Sequence, residues 1–286
     1  MIQDFFKEVL LIHTPKAEII RTQPVGGGCI NNAAKLVTTN QSYFIKWNSI
    51  SEKEMFEKEK EGLSFLSEQK EIQIPEVLGD GQLDNKTYLL LEWIEGGLSS
   101  ADFWNDFGRS LAKLHKYHSN TFGLSYDNYI GRLKQSNKQH QDWASFFIQE
   151  RLEPQIRLAS NKNLIDPNLH ISFERLFQRL EDIVPNEKPA LIHGDLWSGN
   201  FLTSEESKPV LIDPAVHFGH RETELSFTQL FGGFDTKFYQ SYNEEYPLEN
   251  GFEERIDIHN LYPLLVHVNL FGNSYLSGIN QTLKRF

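Results

Sequence analysis

The chain has 286 residues, 39% hydrophobic and 23% charged, the make-up of an ordinary globular protein with length enough for two lobes and a large core. Its 39 acidic against 28 basic side chains give a net charge of -11, which argues against nucleic acid as the main partner but leaves room for local basic residues around a nucleotide. Cys29 is the only cysteine, so an internal disulfide framework is excluded and a reducing cytoplasm is expected; no apolar run reaches the ~18 residues of a membrane span, and Met1 to Leu10 mixes charged with apolar side chains, unlike a signal peptide.

In chain order, Ile2, Phe5, Phe6, Val9 and Leu10 predict a short amphipathic helix. Gly26, Gly27 and Gly28 then stand between two β-like segments, where glycines let backbone amides approach a ligand closely. An ordinary hairpin turn reads equally well from these residues alone. Strands are expected at Lys35 to Thr38 and Tyr43 to Trp47, the second carrying Lys46, followed by a helix from Ser51 to Gln69 with Ser51 as its cap. Glu59 on that helix is the candidate partner for Lys46, with Glu57 and Glu61 as rivals. Further strands are expected at Ile74 to Leu78 and Tyr88 to Ile94, and the change to Glu95-Gly96-Gly97 suggests a lobe boundary there, dividing residues 1–94 from 95–286.

From Ala101 the pattern turns helical. Helices are expected around Phe103 to Leu114, around Trp143 to Gln155, from Ser172 to Leu180, and through the apolar tail from Ile256 to Leu276. His115 and His118 fit a packed or surface pair better than a metal site, since no third ligand accompanies them. The aromatic stripe of Trp143, Phe146 and Phe147 fits a core. The pattern as a whole is an α+β fold, a small β-sheet lobe with one main helix ahead of a larger, mostly helical lobe.

Two short apolar runs, Ala190 to Ile192 and Pro209 to Ile212, flank His193-Gly194-Asp195-Leu196-Trp197-Ser198-Gly199-Asn200 and end at Asp213. A loop His-x-Asp-x-x-x-x-Asn followed by a hairpin that delivers an Asp is how protein kinases arrange phosphoryl transfer. Asp195 is then the candidate base, Asn200 and Asp213 the candidate Mg²⁺ ligands, and Lys46 with Glu59 the pair that holds the phosphates of ATP. Backbone groups of Glu92, Trp93 and Ile94 would meet the adenine.

These motifs resemble the fructosamine kinases, or ketosamine-3-kinases, relatives of the aminoglycoside phosphotransferases. The likeness rests on Gly26 to Ala33, Phe44-Ile45-Lys46, Met55 to Glu59, Asn128 to Gly131, Trp143, Arg151-Leu152, Gln155, the loop 193–200, Asp213-Pro214-Ala215, Arg221-Glu222, Leu230 to Phe234, Tyr242 and Leu261-Tyr262. The resemblance implies a bilobal protein-kinase-like fold and an ATP- and Mg²⁺-dependent kinase acting on the 3-hydroxyl of ketosamines, free or on glycated proteins. Phosphorylation would lead to deglycation and hence protein repair. Trp197 becomes a candidate wall for the sugar, an indole face suiting C–H groups. Cys29 lies in the phosphate loop of the motif, where an acidified thiol could join two chains as a homodimer; a monomer with a small tucked side chain is the plainer reading. His220 and Glu224 depart from the family's Gly-Asp-Arg-Glu-x-Asp, with effects expected at a surface or substrate contact and at the loop around Asp213. The alternatives are a kinase for aminoglycosides or another small-molecule hydroxyl, and a nucleotide-binding pseudokinase.

Overall fold

Phe5, Phe6, Val9 and Leu10 recur on one side of a helix, and that side is what α1 (Ile2–His13) buries. In the computed structural model, which describes residues 2–26 and 31–286, they pack on Leu36, Tyr43, Ile45, Tyr88 and Leu90 of a sheet. The strands are β1 (Ile19–Pro24), β2 (Asn32–Thr38), β3 (Ser42–Ser49), β4 (Val77–Leu83) and β5 (Lys86–Glu92), in the spatial order β1-β2-β3-β5-β4, all antiparallel. Helix α2 (Lys53–Gln69) buries Met55, Phe56, Leu63 and Leu66.

Three expectations shift here. The strand expected at Ile74 to Leu78 begins only at Val77, after Pro75, which has no backbone N–H to give a ladder. Helix α2 follows a 3₁₀ turn at Ile50–Glu52, and its N-cap is Glu52 without a side-chain bond; the Ser51 hydroxyl instead lies 2.5 Å from that of Ser49. Strand β5 ends at Glu92, so Trp93 and Ile94 lie just beyond it.

Two compact units emerge, one comprising residues 1–103 and 199–214, the other 104–198 and 215–286. Where sequence put a boundary after Ile94, the first unit continues to Phe103 and regains a later stretch. The reason is local. Strands Phe201–Thr203 and Pro209–Leu211 form a hairpin; Gly97 N–H donates to Thr203 O at 2.9 Å, and Leu211 N–H to Gln73 O at 3.0 Å.

The second unit has a core of helices. It contains Phe122, Phe146, Phe147, Phe173, Leu261 and Leu265 among others. The segment at Trp143 runs Trp143–Phe146 as α-helix, Phe147–Leu152 as a π-helical turn and Glu153–Asn161 as α-helix again. The helix expected at Ser172 starts earlier, at Pro167, because Asp166 caps it through Asn168 N–H at 2.7 Å, and it ends at Phe177. The apolar tail is broken into Phe252–His259, Leu261–Phe271 and Leu276–Leu283. No helix among the described residues is long and apolar enough to cross a membrane.

Candidate active site

In the first unit, the pairing of β2, β3 and β5 sets Lys46 opposite Ala33 and Leu89 and leaves it 7% exposed. A buried ammonium needs partners. It has two: its Nζ donates to Glu59 Oε1 at 2.8 Å and to Asp213 Oδ1. Burial alone would lower the lysine pKa, but the Asp213 and Glu59 carboxylates outweigh it and hold the ammonium above its usual value. Burial also pushes the Glu59 carboxyl up, against the pull of Lys46; the short contact to a charged ammonium marks the pair as ionic. Of the three rival glutamates, Glu59 is the one that reaches Lys46. Asp213 has φ 57°, a left-handed conformation that Asp tolerates better than most residues, and its neighbour Ile212 donates its N–H to Asn200 O at 3.1 Å. Asn200 and Asp213, expected as metal ligands, thus flank one backbone hydrogen bond.

Glu95 accepts from both Lys35 Nζ and Trp93 Nε1 at 2.8 Å, while the Glu92 N–H is bound to Glu76 O at 2.9 Å. Gly26 has open space where a Cβ would stand. Gly27, Gly28 and Cys29 lie outside the described residues.

The second unit carries Asp195. Strand Ala190–Ile192 leads into Gly194, at φ 83°, where a Cβ would fall 2.1 Å from Ala215 O; only glycine fits. The turn is then held from below. Glu224 Oε1 accepts from Gly194 N–H at 2.7 Å and its Oε2 from His193 N–H at 3.2 Å. The same Oε2 lies 2.8 Å from His115 Nε2, and His115 Nδ1 lies 2.7 Å from the Tyr242 hydroxyl. Burial pushes the Glu224 carboxyl up, yet His115 and the backbone amides hold it below its ordinary value, so it serves as a charged acceptor.

Both departures from the family pattern are explained by this region, and differently from expectation. His220 is fully buried, away from any surface, and caps helix Arg221–Leu230 by accepting from Glu222 N–H at Nδ1, the job an Asp would do. Glu224 acts on the amides preceding Asp195, and its longer arm also meets His115.

Asp195 lines a cleft, part of it open to solvent, with Trp143, Arg151, Glu224, His259 and Tyr262. Of these, Trp143 reads in the sequence as a core aromatic and as one of the residues that carry the family likeness, with no role at the site, and His259 carries no motif at all. Trp197 is not in this lining; its ring meets Phe231 edge-on at 6.1 Å. His220, Glu222 and His259 bring ligand atoms within 4.8 Å of one another. Arg255 already takes both Glu222 oxygens, at 2.5 and 2.7 Å, and both His220 nitrogens are bonded, so this cluster is a hydrogen-bonded core and not a metal site.

By its relatives, the chain is an ATP-dependent kinase acting on a hydroxyl group. The lineage follows from comparison. The family model described as Fructosamine kinase matches residues 1–286, and the chain belongs to that family. A probable ketoamine kinase of Lactiplantibacillus plantarum is 38% identical over 278 residues, covering 96% of this chain and 98% of the relative. The chloroplastic protein-ribulosamine 3-kinase of Arabidopsis thaliana is 35% identical, covering 97% and 86%. The crystal structure of a putative fructosamine-3-kinase from Haemophilus somnus superposes with a TM-score of 0.86 at 30% identity, covering 98% and 94%. At the level of fold alone, the aminoglycoside phosphotransferase APH(4)-Ia matches with a TM-score of 0.64 at 16% identity, covering 99% of each chain.

Proposed function

We propose that this chain transfers the γ-phosphoryl group of ATP to the 3-hydroxyl of ketosamines, the adducts of reducing sugars with amines. The observation that carries the reading is the Lys46 ammonium, buried and bound by both Glu59 and Asp213. A lysine so fixed is suited to the α- and β-phosphates. Gly26, Gly27 and Gly28 would cover them, and backbone groups of Trp93 and Ile94 would meet the adenine, the Glu92 N–H being already taken.

Asn200 and Asp213 present the oxygen donors that a hard cation takes, and Mg²⁺ bound by them would neutralise phosphate charge. Asp195 accepts the proton of the acceptor hydroxyl. Glu224 keeps its loop in place through the His193 and Gly194 amides. Trp197, half-buried against Phe231, offers an indole face to the sugar. From the 1,2-enaminol form of the product the C3 phosphate leaves as inorganic phosphate, and water hydrolyses the imine left at C1, which frees the amine. That chemistry suits deglycation of small amines or proteins.

The test is ADP release with ATP, Mg²⁺ and a panel of fructosamine, ribulosamine and aminoglycoside acceptors. Stimulation by ketosamines is expected. Stimulation only by aminoglycosides, or by none, overturns the reading.

A further inference from the structure

Pro263, His267 and Phe271 recur every fourth residue along helix Leu261–Phe271, which sets them on one side of it. Gly272 follows at φ 98°, and the turn it starts brings Tyr275 back onto that side. Phe231, at the end of helix Arg221–Leu230, completes the group. Three rings thus stand around His267: Phe231 at 4.8 Å between centroids, Tyr275 at 4.9 Å and Phe271 at 5.5 Å, each tilted 51° from the imidazole.

This group is not core, for Phe231 is 40% exposed and Phe271 48%. It adjoins the site instead. Phe227, Pro263 and His267 line the cleft together with Asp195; Phe227 meets Phe231 edge-on at 5.9 Å, and Phe231 meets Trp197 at 6.1 Å. Clustered aromatic surface left open beside a cleft marks a place for a ligand.

The imidazole says which kind. Its Nδ1 lies 2.7 Å from Pro263 O, and a carbonyl only accepts, so Nδ1 carries the proton. Burial lowers the His267 pKa against the pull of that carbonyl, and at neutral pH the ring is uncharged. Nε2 then holds a lone pair; it has no hydrogen-bond partner among the described residues and is not sealed from solvent. A lone pair among aromatic faces suits a positively charged donor, since the faces carry partial negative charge and the nitrogen accepts N–H. A carboxylate has no proton for Nε2 and, like a phosphate, meets the wrong sign on the rings. A hydroxyl can donate to Nε2 but gains nothing from the rings. An ammonium satisfies both.

In a ketosamine that group is the secondary amine on C1, protonated at neutral pH and close along the chain to the C3 hydroxyl that Asp195 must reach. Beyond the nitrogen, the half-open Phe231 and Phe271 rings would cover methylene groups and let the rest of the amine run out to solvent, as an amine belonging to a peptide requires.

We propose that His267, with Phe231, Phe271 and Tyr275, forms the subsite for the ammonium and first carbons of the acceptor's amine part, and so selects ketosamines made from alkylamines such as a lysine side chain. This rests on the kinase reading above and names the class of ketosamine that the unit holding Asp195 takes.

The test uses three acceptors that share one sugar: the fructose adducts of butylamine and of methylamine, and the butyl ether in which oxygen replaces the nitrogen. Wild type is compared with His267→Phe, which keeps a ring and removes the acceptor, and with Phe271→Ala, which removes a half-exposed ring at little risk to the fold. Each acceptor is assayed by ADP release and, for a readout independent of turnover, by calorimetric binding without ATP. In the wild type the butylamine adduct should exceed the ether about 10-fold or more in kcat/KM and in affinity. His267→Phe should lose most of that ratio. Phe271→Ala should bind the butylamine adduct about 3-fold more weakly and lose most of the preference for butyl over methyl. A wild type that treats amine and ether alike overturns the proposal. So does a His267→Phe variant with the wild-type amine-to-ether ratio, or a Phe271→Ala variant with the wild-type butyl-to-methyl ratio. Amine-selective binding without turnover would overturn the kinase reading while upholding the subsite; absence of both binding and turnover would overturn both. Should His267→Phe fail to fold, Phe271→Ala decides alone.

Discussion

His115 Nε2 lies 2.8 Å from Glu224 Oε2, with both side chains fully excluded from solvent. Through this contact, the turn that follows helix Phe103–Leu114 steadies the turn that presents Asp195, because the same carboxylate accepts from the His193 and Gly194 amides. His115→Phe removes the hydrogen bond and leaves a buried carboxylate short of a partner. It should cost about 1–3 kcal/mol of stability and lower kcat while leaving ATP affinity unchanged. Urea denaturation and steady-state kinetics check both parts; a variant as stable and as active as wild type would show that the contact positions nothing.

Asp195→Asn keeps the shape of the loop and removes its base. Nucleotide binding should persist at wild-type affinity while kcat drops about 10²–10⁴-fold, as read by nucleotide titration and ADP release. Unchanged turnover would remove Asp195 from the chemistry.

Lys46→Met exchanges a buried ammonium for an apolar chain and leaves Glu59 buried without its cation. Breaking such a pair from one side costs about 3–5 kcal/mol, more than the pair itself contributes. The double variant Lys46→Met with Glu59→Gln should therefore regain much of the lost stability but none of the lost ATP affinity. Thermal unfolding and nucleotide titration separate the two effects.

His220 makes stability depend on pH. Burial, reinforced by the neighbouring His259, brings its pKa down to about 4, against the opposing pull of Glu187 and Glu222. Between about 6.5 and 4 the unfolded chain binds a proton that the folded protein refuses, so stability falls as pH falls through that window, by up to ~3 kcal/mol. His220→Asn keeps a capping acceptor for Glu222 N–H and cannot titrate. Its unfolding midpoint should decline less than that of wild type between pH 7 and pH 4; parallel curves would assign the acid sensitivity elsewhere.

Local pattern made part of this protein readable from sequence. Helix α1 announces itself through Phe5, Phe6, Val9 and Leu10, and order along the chain points to a helical glutamate for Lys46, though only the structure selects Glu59 over Glu57 and Glu61. The helix start at Asp166-Pro167 was equally open to reading, as an Asp cap with proline at the first helical position. Apolar periodicity alone points to Ser172 instead. Other features are non-local. Trp143 looks like core, and its ring does pack on Phe122 and Phe147, but it also meets His220 and His259, which come much later in the chain. Glu224 reads as a lengthened Asp until His115 and two backbone amides are seen around it.

The first unit is not one stretch of chain. Residues 199–214, which hold both Asn200 and Asp213, return to it only after the chain has run through 104–198 of the other unit. During synthesis, the sheet emerges early but Lys46 waits for its second carboxylate until translation has passed Asp213. A gene fragment ending at Phe103 would likewise strand that lysine with Glu59 alone, so the sheet unit cannot be borrowed as a ready-made nucleotide module. Circular permutants that open the chain within 199–214 should be tolerated less well than those opened at an exposed loop tip.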